Sequence, residues 1–372
     1  MTDFLTEVTA LTRDLVAIDS RSFVSNLAVA ERVEAALGGF EIERLDYLDP
    51  AGVAKRCLVA HRGGPAMQGG IAFSGHLDTV PDTGWVEDPW SARIEGDRLS
   101  GLGSTDMKGP VAAIIAAARA LAPRIPVTLL ITTDEETTKQ GAQMIAERSA
   151  LVRRVQPRAI VVAEPTGMIP VRGHRSHIAF TAIATGIQAH SSTGQGHNAN
   201  WDLIPFLVDM KAIFARLRTD AGLQDEDYDP PYSDFNLVLD NHGAAMNVTV
   251  PKATARIKFR YSAKVDPAPV REAVQGAADR HGIALSEASE GAPPELPADH
   301  PLIALAVEIA GAPARTAPYG TDASVLQAIA PCVVLGPGSM DVAHKPNESV
   351  SLRELAAAVP VFMRLAERLA GN

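Results

Sequence analysis

His76-Leu77-Asp78 stands directly after an apolar run, Ile71-Ala72-Phe73, and the break Ser74-Gly75. Two more acidic groups are placed the same way. Asp134-Glu135-Glu136 closes the apolar stretch from Val127 to Thr133, and Glu164 closes Ala159 to Ala163. Asp106 lies in the glycine-bounded loop Gly101 to Gly109, and His344 follows Gly336-Pro337-Gly338 after a fourth apolar stretch, Cys332 to Leu335. In an open α/β sheet, ligands collect outside the carboxyl ends of the strands. A lone histidine at a strand end is usually satisfied by a hydrogen bond, and an acidic run is usually a solvated turn. Four strand ends carrying acid or imidazole are harder to explain that way, because like charges at one sheet edge repel unless a cation lies among them. Nitrogen and carboxylate oxygen donors suit zinc, with related divalent ions possible.

The donor count points to two ions. His76, Asp106, Glu136, Glu164 and His344 supply five ligands. A carboxylate can bridge two ions roughly 3.5–4 Å apart, an arrangement in which bound water loses its proton near pH ~7. Of the neighbours Glu135 and Glu136, one can bind metal while the other faces the water as a general base. Asp78 falls on the same side of an extended chain as His76 and is placed to orient its imidazole.

The elements that must carry these groups alternate. Phe4 to Ile18 and Asn26 to Leu37 have helical periodicity, and Glu41 to Tyr47 and Arg56 to Ala60 read as strands. Ile71 to Ser74, Val127 to Thr133 and Ala159 to Ala163 are continuous apolar runs, as strands covered on both faces require. Pro110 suits a first helical turn, and Val111 to Leu121 follows as an alanine-rich helix. Gly141 to Ser149 is a further helix. This alternation predicts an α/β fold, a mostly parallel sheet flanked by helices. The texture changes after Arg172. Strand Ile178 to Thr185, helix Asn200 to Leu217, strands Phe235 to Leu239, Met246 to Val250 and Thr254 to Tyr261, helix Pro267 to His281 and strand Ile283 to Ser286 read as an inserted α+β domain. Helices Pro301 to Ile309, Ala323 to Ile329 and Leu352 to Leu369 complete the chain. The expected division is 1–172 and 291–372 for a catalytic domain, with 173–290 inserted.

Bulk properties exclude other classes. The chain has 372 residues and a net charge of -10, which argues against a nucleic-acid binder. Two cysteines, Cys57 and Cys332, are too few for a disulfide framework. Met1 to Asp19 carries Asp3, Glu7 and Asp14 without a basic start, unlike a signal peptide. The longest apolar run, Val111 to Ala118, is too short to span a bilayer. A cytoplasmic location, away from membranes, is the expectation.

Five strings carry a resemblance. These are His76-Leu77-Asp78-Thr79-Val80-Pro81, Gly103-Ser104-Thr105-Asp106-Met107-Lys108-Gly109, Asp134-Glu135-Glu136, Ala163-Glu164-Pro165-Thr166 and Ala343-His344-Lys345-Pro346-Asn347-Glu348. In this order, over nearly the whole chain, they resemble the di-zinc amidohydrolases typified by acetylornithine deacetylase and succinyl-diaminopimelate desuccinylase. The resemblance implies that Asp106 bridges two Zn2+ ions, for which Co2+ can substitute. His76 and Glu164 would hold one ion, Glu136 and His344 the other, with Glu135 as general base and Asp78 as orienting acid. It also implies a cis peptide after Asp106.

The inserted part resembles the family's lid or dimerisation domain, so a homodimer is expected. Gln188-Ala189-His190-Ser191-Ser192 is similar to a motif whose histidine, His190, polarises the scissile carbonyl from the same subunit or its partner. Asn247, Arg260 and the Gly320-Thr321 pair resemble residues that hold the substrate carboxylate. Ser176, and Thr249-Val250 before Pro251, depart from the family pattern near the lid, where they bear on substrate preference. The implied reaction is hydrolysis of the amide of an N-acyl-L-amino acid, with N-acetylornithine or a close analogue as the leading substrate. Desuccinylation, acetylcitrulline deacetylation, dipeptidase or carboxypeptidase activity, and a non-catalytic metal-binding role stay open.

Overall fold

A computed structural model describes residues 4–63 and 68–371, which leaves Asp3 of the N-terminal reading outside the described residues. The chain forms two compact units. One comprises 1–173, 294–316 and 321–372; the other comprises 174–293 and 317–320.

The first unit is built on an eight-stranded sheet. Its spatial order is Glu41–Leu48, Ala54–Arg62, Val127–Thr132, Ile71–His76, Ala159–Val162, Cys332–Val334, Val171–His174 and Arg315–Ala317. Four neighbouring central strands, Val127–Thr132 through Cys332–Val334, run parallel. Glu41–Leu48, Ala54–Arg62 and Val171–His174 pair antiparallel at the flanks. The runs Ile71–His76, Val127–Thr132 and Ala159–Val162 are buried at every position, as expected of strands with both faces covered. Helix Gly109–Ala120 packs so closely that its residues from Gly109 to Ala118 are all buried. Pro110 sits in its first turn, where a missing amide donor costs nothing. The last helix, Leu352–Ala370, begins where the Ser351 hydroxyl accepts the Glu354 N–H, so Ser-x-x-Glu reads as a capping pair. Phe362 from that helix meets Phe73 edge-on at 5.4 Å between ring centres. A small antiparallel sheet joins Arg93–Glu95, Arg98–Ser100 and Ser349–Ser351.

The second unit is a four-stranded antiparallel sheet in the order Asp234–Asp240, Lys252–Tyr261, Ser176–Thr185 and Ala284–Ser289. Its core holds Phe180, Phe206 and Phe259, with helices Asn200–Leu217 and Ala268–His281 contributing Met210 and Val274.

Two local expectations fail. Met246 to Val250 is not a strand. Its backbone groups go to a neighbouring loop, with Thr249 N–H donating to Ala189 O and Val250 O accepting from Ala199 N–H. Pro251, having no N–H, cannot continue a ladder there. Ala323 to Ile329 keeps only one helical turn, Ala323–Leu326. No helix among the described residues is long and apolar enough to cross a membrane. Cys57 and Cys332 are both free and buried.

Candidate metal centre

Parallel pairing aligns three strand ends. His76 lies opposite Thr132, and Ser74 lies opposite Val162. The next residues are therefore delivered to one edge: Leu77 N–H donates to Thr132 O, and Ala163 N–H to Ser74 O. Glu164 follows immediately. Gly75 is needed because a Cβ there would stand 2.7 Å from Val111 Cγ2 and 2.8 Å from Met107 Cε. Its bare backbone lets the segment after Asp106 press against the end of the His76 strand.

The Asp106 loop is shaped by special backbone. Gly103 has φ of +78°, and the Asp106–Met107 peptide is cis, as the resemblance implied. The two oxygens of Asp106 face two different histidines. Oδ1 is 3.1 Å from His76 Nε2 and Oδ2 is 3.1 Å from His344 Nε2. His76 Nε2 also lies 3.7 Å from Glu164 Oε1, and His344 Nε2 lies 2.9 Å from Glu136 Oε1. All five predicted ligands thus converge, with Asp106 between two pairs.

The donor chemistry fits cations. His76 Nδ1 is 3.0 Å from the Asp78 carbonyl oxygen, which can only accept. In the neutral ring the proton therefore sits on Nδ1, and the Nε2 lone pair points at carboxylate oxygens. Two acceptors face each other without a proton to share unless a cation stands between them. Two donors of one tetrahedral zinc, bonded at ~2.0–2.2 Å, stand about 3.3–3.6 Å apart. The observed separations of 2.9 to 3.7 Å bracket that span. Ligand atoms of His76, Glu135 and Glu164, and separately of His76, Asp106 and Glu136, lie within 4.8 Å of one another.

Without a cation the cluster holds protons instead. Burial, then the charge of Asp106, pushes Glu164 well above the usual carboxylate range. The same two causes raise Glu136. Burial pushes Glu135 up to about 8, against the opposing pull of Lys139 and His76. Burial would also raise Asp106, but hydrogen bonds from His344 and His76 outweigh it and hold that carboxyl low. Hydrogen bonds to Asp106 and Glu136 lift His344 to about 11. Such mutual perturbation of acids and imidazoles in one place marks a functional site.

The Asp134-Glu135-Glu136 turn is over-determined. Asp134 has φ of +63°, and its carbonyl accepts the N–H groups of Thr138 at 3.0 Å and Lys139 at 2.7 Å. Its carboxylate pairs with buried Lys55 at 3.0 Å and accepts the Tyr47 hydroxyl at 2.7 Å. Asp78 does more than sequence spacing suggested. Besides touching His76 Nδ1 at 3.5 Å, it accepts the N–H groups of Glu135 and Glu136, each at 3.2 Å, and the Ser22 hydroxyl at 2.8 Å. One carboxylate thus fixes both the imidazole and the turn opposite it. Lys139 Nζ stands 3.6 Å from Glu135 Oε1 and donates to Thr321 O at 2.8 Å.

The remaining predicted residues fall elsewhere. His190, Asn247 and Arg260 belong to the second unit, and Gly320 is its last residue before the chain returns at Thr321. His190 is exposed, and its Nδ1 accepts the Ser192 N–H at 3.3 Å. That acceptance leaves the neutral ring's proton on Nε2, as a donor. Exposed Asn247 accepts the Ser191 N–H through its carbonyl. Arg260 pairs with Asp234 at 2.9 Å. Thr321 is buried, and its hydroxyl accepts the Ala323 N–H, so both of its oxygens serve the turn beside Lys139.

Sequence reasoning missed Lys55, Tyr47 and Lys139 as supports, because nothing local in the Lys55 and Tyr47 strands marks a charge or hydroxyl as inward-facing. In the structure Lys55 is buried between partly exposed Ala54 and Arg56.

Residues 72–368 match the sequence profile of the peptidase family M20/M25/M40. The acetylornithine deacetylase of Proteus mirabilis is 31% identical over 96% of this chain and 95% of its own. That of Aliivibrio salmonicida is 31% identical over 80% of this chain and 81% of its own. A tripeptidase from Staphylococcus aureus superposes with a TM-score of 0.74 at 17% identity, covering 99% of both chains, which speaks for a shared fold.

Proposed function

The chain belongs to the peptidase family M20/M25/M40 and is a hydrolase of that family, and we propose that it hydrolyses the amide bond of an N-acyl-L-amino acid. Likeness to two acetylornithine deacetylases, over 96% and 80% of this chain, supports N-acetylornithine or a close analogue as the leading substrate. The observation that carries the reading is Asp106, whose two oxygens each meet a different histidine at 3.1 Å.

In this reading His76 and Glu164 would hold one Zn2+ and Glu136 and His344 a second, with Asp106 as the carboxylate they would share. When bound, such a pair acidifies water and polarises a carbonyl oxygen. Glu135 takes the proton of the attacking water and passes it to the leaving nitrogen. Asp78 keeps the His76 ring and the Glu135 backbone in register. His190, with its proton on Nε2, donates to the developing oxyanion. Arg260 and Asn247 hold the substrate carboxylate, the guanidinium exchanging Asp234 for it. Gly320 and Thr321 line that end through their backbone.

The inserted unit acts as lid and dimerisation domain in this reading. Its helix Asn200–Leu217 leaves Trp201, Ile204 and Val208 exposed at helical spacing on one face, the kind of apolar surface that marks association.

The test is a panel of N-acetyl, N-succinyl and dipeptide substrates assayed with added zinc or cobalt. N-acetylornithine should give the highest kcat/KM, and a dipeptide turning over faster would displace it.

A further inference from the structure

Glu348 lies four residues beyond His344, in a loop that has His344 and Asn347 at φ of +59° and +68°. It is a glutamate with 1% of its surface exposed. Burying a carboxylate is costly unless its oxygens are satisfied. Here they are satisfied by the backbone of the loop that carries Asp106. Oε1 accepts the Thr105 N–H at 2.7 Å and the Asp106 N–H at 2.9 Å, and Oε2 accepts the Gly103 N–H at 3.1 Å. The two backbones are sewn together beside it. Gly101 N–H donates to Glu348 O at 3.0 Å, and the Thr105 hydroxyl to Ser349 O at 3.1 Å. On its own side, Glu348 N–H donates to Lys345 O at 3.2 Å, folding the His344 loop back on itself.

We propose that Glu348 is a positioning residue that locks the Asp106 loop to the His344 loop, so that the two are presented to one metal ion as a preformed pair. The inference rests on the metal-centre reading above. Its physical basis is the fork. The amide of Asp106 itself is one of the three donors, so the Asp106 backbone cannot move away from the His344 loop without breaking a hydrogen bond to the buried carboxylate. The two loops are more than 200 residues apart in sequence, and no single element carries both. A glutamine would keep the volume and one accepting oxygen, but it would turn an NH2 toward the Gly103 N–H.

The experiment uses the full chain as wild type, E348Q, E348D and E348A. Cobalt binding is measured by chelator competition, with H344A as the reference for loss of the Asp106–His344 ion. Thermal unfolding is followed on chelated protein. E348Q should weaken one ion, the one lost in H344A, by about 10- to 100-fold, the range for residues that orient ligands. The other ion, which shares Asp106, should weaken less, and the chelated protein's melting temperature should fall by only roughly a few degrees, because the Gly103 N–H is left facing a donor. E348D, which keeps the charge, should recover part of the loss. Equal cobalt affinities for wild type and E348Q, or a loss shared evenly by both ions, would overturn the clamp. If E348A fails to fold, E348Q alone decides. A wild type that takes up fewer than two ions would instead remove the metal-centre reading, and the clamp with it.

Discussion

Glu135 and Glu136 are chemically identical neighbours with different surroundings. Glu136 meets His344 at 2.9 Å, whereas Glu135 faces Lys139 at 3.6 Å. That difference is the ground for proposing Glu136 as a ligand and Glu135 as the base. Glu135→Ala should therefore retain both metals by elemental analysis while turnover falls at least ~10²–10⁴-fold, the usual worth of a general base. Wild-type turnover would remove Glu135 from that role. The five residues proposed as ligands, and Asp78, could be picked out from the sequence because each sits at the end of an apolar run or in a glycine-bounded loop. Lys55 and Tyr47 were not, since a charged or phenolic residue within a flanking strand reads as solvated until its partner's position is known.

At the scale of the element, the parallel strands were readable from unbroken apolar runs. Met246 to Val250 misled because its β-branched residues favour a strand while Pro251 and the facing loop divert its hydrogen bonds. The turn that follows Val127–Thr132 depends on a buried ion pair, Lys55–Asp134, with both side chains almost fully buried. Removing one partner of such a pair costs about 3–5 kcal/mol. Lys55→Met should show a loss of that order in denaturant unfolding, with lower activity because Asp134 carries Glu135; unchanged stability would mean the pair is dispensable. Gly75→Ala tests close packing between strand end and helix. The added Cβ would overlap Val111 and Met107, which should cost about 1–3 kcal/mol and weaken metal binding by moving Asp106.

At the scale of the whole molecule, the acid-rich edge makes stability depend on the cations. In chelated protein Glu135 is raised from its ordinary 4.5 to about 8, and His344 from 6.5 to about 11. A raised folded pKa gives stability that is complete below the unfolded value and lost as pH climbs to the folded one. The two windows, pH 4.5 to 8 and pH 6.5 to 11, act in the same direction. Chelated protein should lose melting temperature from pH 5 to pH 7, above which Lys108, lowered by burial from 10.5 to about 7, acts in the opposite direction; added zinc should flatten the slope below pH 7, and parallel curves with and without zinc would contradict this. Self-association through the exposed face of Asn200–Leu217 predicts a particle near twice 39.3 kDa by light scattering. Trp201→Glu should return it to the single-chain mass.

The centre itself is tested most directly by anomalous diffraction at the zinc edge from zinc-soaked crystals. Two peaks roughly 3.5–4 Å apart, one on the His76–Glu164 side of Asp106 and one on the Glu136–His344 side, are the predicted result. A single peak, or zinc bound away from Asp106, would contradict the account.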